Sequence, residues 1–456
     1  MTEAKNADLA VDLVREGQWK ELEQRLAQMH PADIAETIAR IDRDRISNVF
    51  NLVGLDKQPQ VLAEIEEHLN LDILENLDNS KISGILESMH PDDAADILLD
   101  FPEKKSRQIL SLMEKEESDD VRELMQYGEE TAGGIMTTDF VSLPEHLTVE
   151  EALNRIAQLD EDEPFYYTFV VDNQDLMVGT IALWQMIKAR NKDLRLADLV
   201  ERDFIAATVN MDQEECAHLM SKYDLSSLPV LDDDGRLAGR IMVDDVIDVI
   251  EDEASEDIFR LAGSDDEELA FSSPYKAAKL RLPWLLVTLA TGVVTSILMS
   301  KFLRLGEVVA LSAFVPIVMA MGGNTGIQSS TLIVRRLAIG TLDISDLFGV
   351  LRKEIFTGAL MGILCGAVIG LWAHFVFIWG ADSTSFNPVF LALVVAVSLF
   401  MAMSFAALYG AFTPMLLNRL NVDPAIASGP FVTASNDIFA LLIYYAITLR
   451  FLAIFS

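Results

Sequence analysis

The stretch 425-AIASGPFVTASNDIFALLIYYAITLRFLAIF-455 is long enough and apolar enough to cross a lipid bilayer. A membrane-spanning helix needs about 20 apolar residues, and Asp437 lies well inside this run. A charge near the bilayer centre costs at least roughly 2.5–3.5 kcal/mol, so such a residue is a candidate for ion binding or proton transfer. The alternative is a structural carboxyl that stays protonated or bonds to a neighbouring helix.

Four further apolar runs precede this one, near residues 283–303, 308–334, 354–379 and 388–416. Three basic residues precede the first run, four lie between the second and third and one between the fourth and fifth, against three on the opposite side. Because cytoplasmic loops carry an excess of Lys and Arg, this bias places the N-terminus in the cytoplasm and the C-terminus outside. The sequence therefore predicts a five-helix transmembrane domain over residues 283–456.

The charge is concentrated in the part of the chain before these runs. The net charge is -36, and from Pro274 onward we count 11 Lys and Arg against 7 Asp and Glu. Residues 1–273 therefore hold 24 of the 35 basic and 64 of the 71 acidic residues. Such a field repels nucleic acid and anionic lipid but attracts cations. The N-terminus shows no basic and apolar signal segment, so we expect this acidic half in the cytoplasm.

Residues 1–130 show only helical periodicity, for example at Leu22 and Leu26. The segment Met29-His30-Pro31-Ala32-Asp33-Ile34-Ala35 recurs as Met89-His90-Pro91-Asp92-Asp93-Ala94-Ala95. Proline in a first turn followed by Asp is typical of a helix start. We predict an all-α N-terminal domain of stacked helical pairs.

Residues 131–250 contain an α/β unit that occurs twice. Val170-Val171-Asp172 and Val230-Leu231-Asp232 end short apolar strands, and Gly179 and Gly239 follow each Asp by seven residues. The repeat resembles a tandem pair of CBS domains. CBS pairs commonly bind adenine nucleotides through a Thr-x-x-Asp step, but that step here reads Ala182-Leu183-Trp184-Gln185 and Met242-Val243-Asp244-Asp245. The loss of these residues argues against nucleotide binding.

Residues 251–282 continue as a connecting helix dense in Asp and Glu. Like charges one turn apart destabilise an isolated helix, so counter-ions such as divalent cations would stabilise it, although a solvated linker helix is an equal alternative. Within the second apolar run, Gly322-Gly323-Asn324-Thr325-Gly326 supplies close packing and neutral oxygens. In the fifth, Asp423-Pro424 is typical of a helix start, and Gly429-Pro430 should break or kink the span before Asp437.

The whole order resembles the MgtE family of magnesium transporters. The motifs that carry the resemblance are Thr131-Ala132-Gly133-Gly134-Ile135-Met136-Thr137, Glu256-Asp257-Ile258, Gly322-Gly323-Asn324-Thr325-Gly326, Asp423-Pro424 and Asp437 before Leu441-Leu442-Ile443-Tyr444. The resemblance implies a homodimeric, Mg²⁺-selective channel whose cytosolic domains bind Mg²⁺ and close the pore through the connecting "plug" helix. Ala440 and Ile327 depart from residues that relatives carry there, which could alter helix packing or selectivity.

The resemblance also implies the site residues. The pore site would comprise Asp437, with Asn324 and Asp423. The regulatory Mg²⁺ residues would be Asp92, Asp96, Asp212, Glu214, Asp245, Asp248, Glu253, Glu256 and Asp257, with Glu64 as a further match across a gap. Mg²⁺ is then both transported and regulatory, and the partners are the bilayer, divalent cations and a second copy of the chain.

Two other functions are compatible with the same sequence. A cation exchanger coupled to H⁺ or Na⁺ would use Asp437 as a titrating group, and a membrane-anchored CBS sensor would transport nothing. An enzyme is not expected, because we find no Ser/His pairing, no phosphate-cradling loop and no second carboxylate within the spans beside Asp437. Oxygen ligands leave the choice among Mg²⁺, Mn²⁺, Co²⁺ and Ca²⁺ open.

Overall fold

The computed structural model describes residues 4–65, 67–75, 77–158, 166–264, 274–303, 309–339, 341–342, 347–379, 387–420, 422–427 and 429–455. The chain forms two compact units, Met1–Ile250 and Glu251–Ser456.

Over the residues that the structure describes, the first unit begins with ten short helices, as the helical periodicity predicts. They are α1 Ala4–Glu16, α2 Trp19–Leu26, α3 Pro31–Ala39, α4 Arg43–Phe50, α5 Gln58–Ala63, α6 Glu67–Leu74, α7 Asn79–Leu86, α8 Pro91–Leu99, α9 Glu103–Leu110 and α10 Lys115–Leu124. Pro31 and Pro91 stand at the first position of α3 and α8, where a missing N–H costs nothing. Leu22 and Leu26 are buried in the shared core, which confirms the helical face that they define.

The second part of this unit contains two three-stranded sheets. The first sheet contains β1 Ser142–Pro144, β2 Tyr167–Val171 and β3 Met177–Ala182, and its helices are α11 Val149–Ile156 and α12 Leu183–Lys188. The second is built from β4 Ala207–Thr208, α13 Gln213–Tyr223, β5 Ser227–Leu231, β6 Leu237–Met242 and α14 Val243–Ala262, and a 3₁₀ turn at Leu196–Asp198 lies between the two. In each sheet the first pair of strands is parallel and the second is antiparallel.

The repeated glycines occupy the same place in both sheets. Gly179 pairs with Val170 and Gly239 with Val230. A Cβ on Gly179 would overlap the carbonyl oxygen of Glu201, and one on Gly239 would lie 2.8 Å from that of Thr137. Glycine is therefore required because another segment of backbone passes close beside β3 and β6, the edge strands that contain these glycines. This duplication confirms the α/β CBS pair.

The predicted connecting segment 251–282 begins within a longer helix. Helix α14 starts at Val243, directly after β6, because the Asp245 carboxylate accepts a hydrogen bond from the Met242 N–H. Such a bond stabilises a helix start. Residues 265–273 of the predicted 251–282 segment lie outside the described residues.

After α14, the described residues of the second unit form five long helices and one short α-helical turn. They are α15 Pro274–Leu303, α16 Val309–Ser312, α17 Val315–Ala338, α18 Leu347–Trp379, α19 Pro388–Arg419 and α20 Pro430–Phe455. Among the described residues, four of these (α15, α18, α19 and α20) are long and apolar enough to cross a membrane. The fifth, α17, contains the Gly-Gly-Asn-Thr-Gly motif and two arginines in its last turn.

Proline and glycine act differently in the two motif-bearing helices. In α17, Pro316 lies in the first turn and the helix continues unbroken through its glycines, so these provide close packing. Before α20, a 3₁₀ turn at Ala425–Ala427 is followed by a new helix that begins at Pro430. Gly429-Pro430 thus breaks the apolar run, as predicted.

A row of glycines joins α18 to α19. Gly358, Gly362, Gly366 and Gly370 recur every fourth residue and are buried. A Cβ on Gly362 would lie 3.0 Å from both the Cα and the carbonyl oxygen of Phe400. Backbone cannot move aside as a flexible side chain can, so these two helices can pack closely only without side chains along this row.

We therefore expect Gly362→Val to destabilise the membrane unit by about 1–3 kcal/mol through overpacking. The measurement is thermal unfolding in detergent, followed by intrinsic fluorescence. Gly292→Val is the matched control, because a Cβ on Gly292 of α15 has nothing within 4 Å. Equal melting temperatures for the two variants would contradict the close α18–α19 packing.

Candidate ion-binding sites

Asp437 lies in the second turn of α20 and faces the glycine motif of α17. Its side chain is half-buried. A Cβ built on Gly323 would lie 3.6 Å from Asp437 Oδ1, so the carboxylate stands beside the bare backbone of α17. A half-buried carboxylate on a membrane helix is a candidate ligand for a cation that retains part of its hydration shell.

The two departures from the resemblance can be located beside this site. Ala440 is buried, and a Cβ on Gly322 would be 3.2 Å from the Ala440 Cβ. The methyl group of Ala440 is therefore accommodated because residue 322 has no side chain. Ile327 is half-buried on α17.

The other two predicted pore residues are placed differently from Asp437. Asn324 is exposed on α17. The Asp423 carboxylate accepts a hydrogen bond from the Ala425 N–H at 2.7 Å and forms an ion pair with Arg260 of α14. Asp423 therefore caps the turn before α20 and binds a cationic side chain, and its role in the pore stays a prediction.

A second carboxylate lies on α18, a helix long and apolar enough to cross a membrane, and the expectation that the spans hold only Asp437 did not take it into account. Glu354 of α18 is only 5% exposed, and its Oε2 accepts a hydrogen bond from Ser329 Oγ of α17 at 2.9 Å. Sequence reasoning missed it because Glu354 directly follows Arg352-Lys353 and therefore resembles a flanking charge. The feature that could have revealed Glu354 is its position as the first residue of the apolar run 354–379.

The first unit brings several of the predicted regulatory acids together. Asp92 and Asp93 begin α8, and Asp244 and Asp245 begin α14. Burial raises the pKa of Asp92, and burial together with the Asp92 charge raises the pKa of Asp93 to about 7. Burial and the charges of Asp92 and Asp244 raise the pKa of Asp245 to about 8. These carboxyls lack sufficient positive charge from the protein, which suits a hard cation.

Asp93 was not among the predicted residues, although it stands beside Asp92 in the repeated His-Pro motif. His90 lies 3.6 Å from Asp139 and partly offsets the negative charge at Asp92 and Asp93. Glu64 is exposed, and its charge contributes to the raised pKa of Asp93. The cluster thus extends across α8, α14 and the end of α5.

The remaining regulatory residues lie on the surfaces of their helices. Asp212 is exposed and caps α13 by accepting a hydrogen bond from the Glu214 N–H at 2.9 Å. Asp248 is exposed on α14, while Asp96 on α8 and Glu214 on α13 are half-buried. The Mg²⁺ roles of these four residues stay predictions.

A second acidic group lies on the part of α14 that belongs to the second unit. Burial, followed by the charges of Asp423 and Glu253, raises the pKa of Asp257 to about 6. Glu256 and Asp423 both form ion pairs with Arg260. The loop before α20 is close enough that a Cβ on Gly429 would overlap the Leu261 carbonyl oxygen. The connecting helix therefore contacts the loop that precedes the Asp437 helix.

Within the described residues, no group of three or more His, Cys, Asp or Glu side chains forms a ready-made metal cage. The acids around Asp92 come from α8, α14 and the end of α5, so a cation there would be shared by separate elements. A single carboxylate such as Asp437 also suits Mg²⁺, which binds one or two carboxylates and retains several waters.

The raised pKa values around Asp92 predict that Mg²⁺ binding releases protons. The pKa values of Asp93 and Asp245 lie above the ordinary 3.8, so the cation-free folded chain binds extra protons between pH 3.8 and about 8. Its stability therefore falls as pH rises through that range. Mg²⁺ requires the carboxylates, so its affinity should rise with pH.

Isothermal titration with Mg²⁺ at pH 7.5, in buffers of different ionisation enthalpy, measures this release. We expect net proton release from the wild type and less from Asp245→Asn, which retains an oxygen that can accept from the Met242 N–H. Heats that are independent of the buffer would contradict the prediction.

Known protein families match the helical domain, the duplicated α/β domain and the apolar helices of this chain. Residues 315–447 match the family profile described as a divalent cation transporter, residues 29–130 match the MgtE intracellular N domain, and residues 132–192 and 196–252 match CBS domains. The magnesium transporter MgtE of Thermus thermophilus is 35% identical over 96% of this chain and 97% of its own. That of Enterococcus faecalis is 34% identical over 98% and 97%.

Among solved structures, the cytosolic domain of the Mg²⁺ channel MgtE in complex with ATP is similar to this chain. It is 31% identical, covers 53% of this chain and 99% of its own, and superposes with a TM-score of 0.49.

An acidic helical domain and a CBS pair, joined to apolar helices that match the divalent cation transporter profile, define a multi-pass membrane transporter. Its relatives transport magnesium. The chain belongs to the MgtE family of magnesium transporters.

Proposed function

We propose that this chain is a Mg²⁺-selective channel of the cytoplasmic membrane, closed by Mg²⁺ bound to its acidic cytosolic domains. The main observation in support is that the Asp437 carboxylate lies beside the glycine backbone of α17, in a chain that belongs to a family of magnesium transporters. We expect a transporter and not an enzyme, because the three relatives that match nearly the whole chain are named magnesium transporters.

Asp437 attracts the cation into the path. Mg²⁺ holds its waters tightly and accepts one or two carboxylates with several waters retained. The absence of a side chain at Gly323 lets the Asp437 carboxylate lie directly beside the backbone of α17. Asn324, exposed on the same helix, offers a neutral oxygen farther along α17.

Closure follows from the acids of the cytosolic region. Without cations, the negative charges of Asp92, Asp93 and Asp245 repel one another, and this repulsion opposes the packing of α8 against the start of α14. Bound Mg²⁺ neutralises them and favours the packed form. A ligand can shift such an equilibrium only through its preference for one state, so several weak sites must act together.

The connecting helix carries this signal to the pore. Asp257 lies near Asp423, and both belong to the contact between α14 and the loop before α20. A cation shared by these carboxylates would hold α14 against the loop. Because Asp437 lies two turns into α20, the position of this loop bears directly on the pore helix.

The channel acts as a homodimer. Ile187 on α12 and Ile247 on α14 are exposed apolar residues at equivalent places of the two repeats, and Trp184 and Ile250 on the same helices are also exposed. A second copy would cover them, and a two-fold axis would place two Asp437 carboxylates around one path. Mass measurement of the detergent-solubilised chain tests this, and a monomeric mass would contradict it.

Nucleotide is not expected to be the main regulator. Gln185 replaces the aspartate of the first repeat, and it accepts from the Ala182 N–H and donates to Glu201. Asp245 of the second repeat is occupied by the Met242 N–H and the acidic cluster. These contacts support the prediction of weak or absent nucleotide binding.

The test is Mg²⁺ uptake into proteoliposomes that contain the full chain, with Mg²⁺ varied on the face that carries the cytosolic domains. We expect uptake at low Mg²⁺ and its loss at millimolar Mg²⁺ on that face. Uptake that requires an opposing H⁺ or Na⁺ gradient would instead indicate an exchanger. No uptake by an intact, inserted protein would indicate a sensor. Competition by Mn²⁺, Co²⁺ and Ca²⁺ measures the selectivity.

A further inference from the structure

The Asn436 side chain is a buried amide without a hydrogen-bond partner. It is 1% exposed on α20, and neither Oδ1 nor Nδ2 has a partner within the described residues. An unmade hydrogen bond of a buried amide destabilises the packing that buries it, whereas an apolar side chain of similar shape would not. Packing alone therefore gives no reason for an amide at this position.

The amide is enclosed where three helices cross. A Cβ on Gly326 of α17 would overlap Asn436 Nδ2. On the other side, a Cβ on Gly410 of α19 would overlap the Gly326 carbonyl oxygen. Gly326 is thus held between α19 and α20, and the close approach of α17 and α20 is what keeps water from the amide.

Asn436 and Asp437 lie against one face of α17. Asp437 Oδ1 is beside Gly323, and Asn436 Nδ2 is beside Gly326, three residues farther on. Three residues of helix span about 4.5 Å, so the two polar groups follow one another along the same glycine face. Asp437 is half-exposed there, while Asn436 is enclosed.

We propose that Asn436 is a gating residue, whose amide is dry when α17 and α20 are packed and becomes hydrated when these helices separate to admit an ion. The proposal rests on the proposed function, in which ions pass beside Asp437. An unpartnered amide raises the free energy of the packed form and so favours opening. Hydration beside the path then removes that penalty.

Cysteine accessibility tests the hydration directly. Asn436→Cys is made in a chain that carries Cys365→Ala, while Cys216 stays because it is fully buried. A water-soluble methanethiosulfonate is applied to proteoliposomes at low and at high Mg²⁺ on the cytosolic-domain face. We expect modification at least about tenfold faster at low Mg²⁺. Ala402→Cys, buried on α19, is the control that should not react in either condition. Equal rates at position 436 would overturn the proposal.

Flux measurements separate gating from packing. Asn436→Leu removes the unpartnered amide at similar size, and we expect Mg²⁺ flux to fall at least about tenfold with an unchanged or higher melting temperature. Asn436→Ser retains a group that water can bind and should stay within about threefold of wild type. Wild-type flux in Asn436→Leu, or equal losses with lower melting temperatures in both variants, would overturn the proposal.

These experiments distinguish a failure of the gating proposal for Asn436 from a failure of the proposed function. If uptake does not depend on Asp437, the proposed ion path is wrong whatever position 436 does. If uptake depends on Asp437 while Asn436→Cys reacts equally at low and high Mg²⁺, only the gating role of Asn436 is wrong.

Discussion

Replacing Asp437 with asparagine is expected to reduce Mg²⁺ uptake by about a hundredfold or more. The variant retains the size and polarity of the side chain and removes only its charge. At an effective dielectric constant near 20, one charge pair at about 4 Å is worth about 4 kcal/mol, and each 1.4 kcal/mol is about a factor of ten. The measurement is initial uptake into proteoliposomes at low Mg²⁺, normalised to inserted protein.

Glu354→Gln is the matched comparison, because it also removes one carboxylate from the membrane helices. Its amide oxygen can still accept from Ser329 Oγ, so we expect uptake within about threefold of wild type and an intact α17–α18 contact. Equal losses in the two variants would show that uptake responds to any change of intramembrane charge. Wild-type uptake in Asp437→Asn would contradict the ion path itself.

Local patterns in the sequence were sufficient to predict most of the fold. Apolar length predicts the membrane helices, since backbone in lipid must bond within its own helix. The His-Pro-Asp repeat predicts the starts of α3 and α8, and the spaced glycines predict the two equivalent sheets. Each of these signals depends on neighbours in sequence, and therefore survives without knowledge of tertiary contacts.

What could not be predicted depends on contacts between distant segments. Asp93 joins the acidic cluster only because α8 packs near the start of α14, and Glu354 becomes buried only because Ser329 of another helix meets it. The Asn436 side chain is enclosed because the helices that carry Gly326 and Gly410 pack closely there. These glycines are 110 and 26 residues away in sequence. The start of α14 at Val243 depends on a cap that hydrophobic periodicity does not show.

The double substitution Asp92→Asn and Asp245→Asn is expected to raise the Mg²⁺ concentration for half-closure by about tenfold or more. Each variant retains an oxygen acceptor, and at position 245 this preserves the hydrogen bond from the Met242 N–H that begins α14. The change therefore removes ligand charge while keeping the fold. A tenfold shift corresponds to about 1.4 kcal/mol of lost preference for the closed state. Uptake measured against Mg²⁺ on the cytosolic-domain face gives the value.

The direction of this shift separates two accounts of closure. If Mg²⁺ acts as a bound ligand, loss of its carboxylates must weaken closure, and the half-closing concentration rises. If relief of repulsion among Asp92, Asp93 and Asp245 were the whole effect, neutral side chains would imitate bound Mg²⁺, and the channel would close at lower Mg²⁺ or without it. Glu116→Gln with Asp233→Asn removes the same charge from exposed positions of the same unit and should leave the value unchanged. A fall in the double variant would therefore contradict the ligand account and retain the electrostatic one.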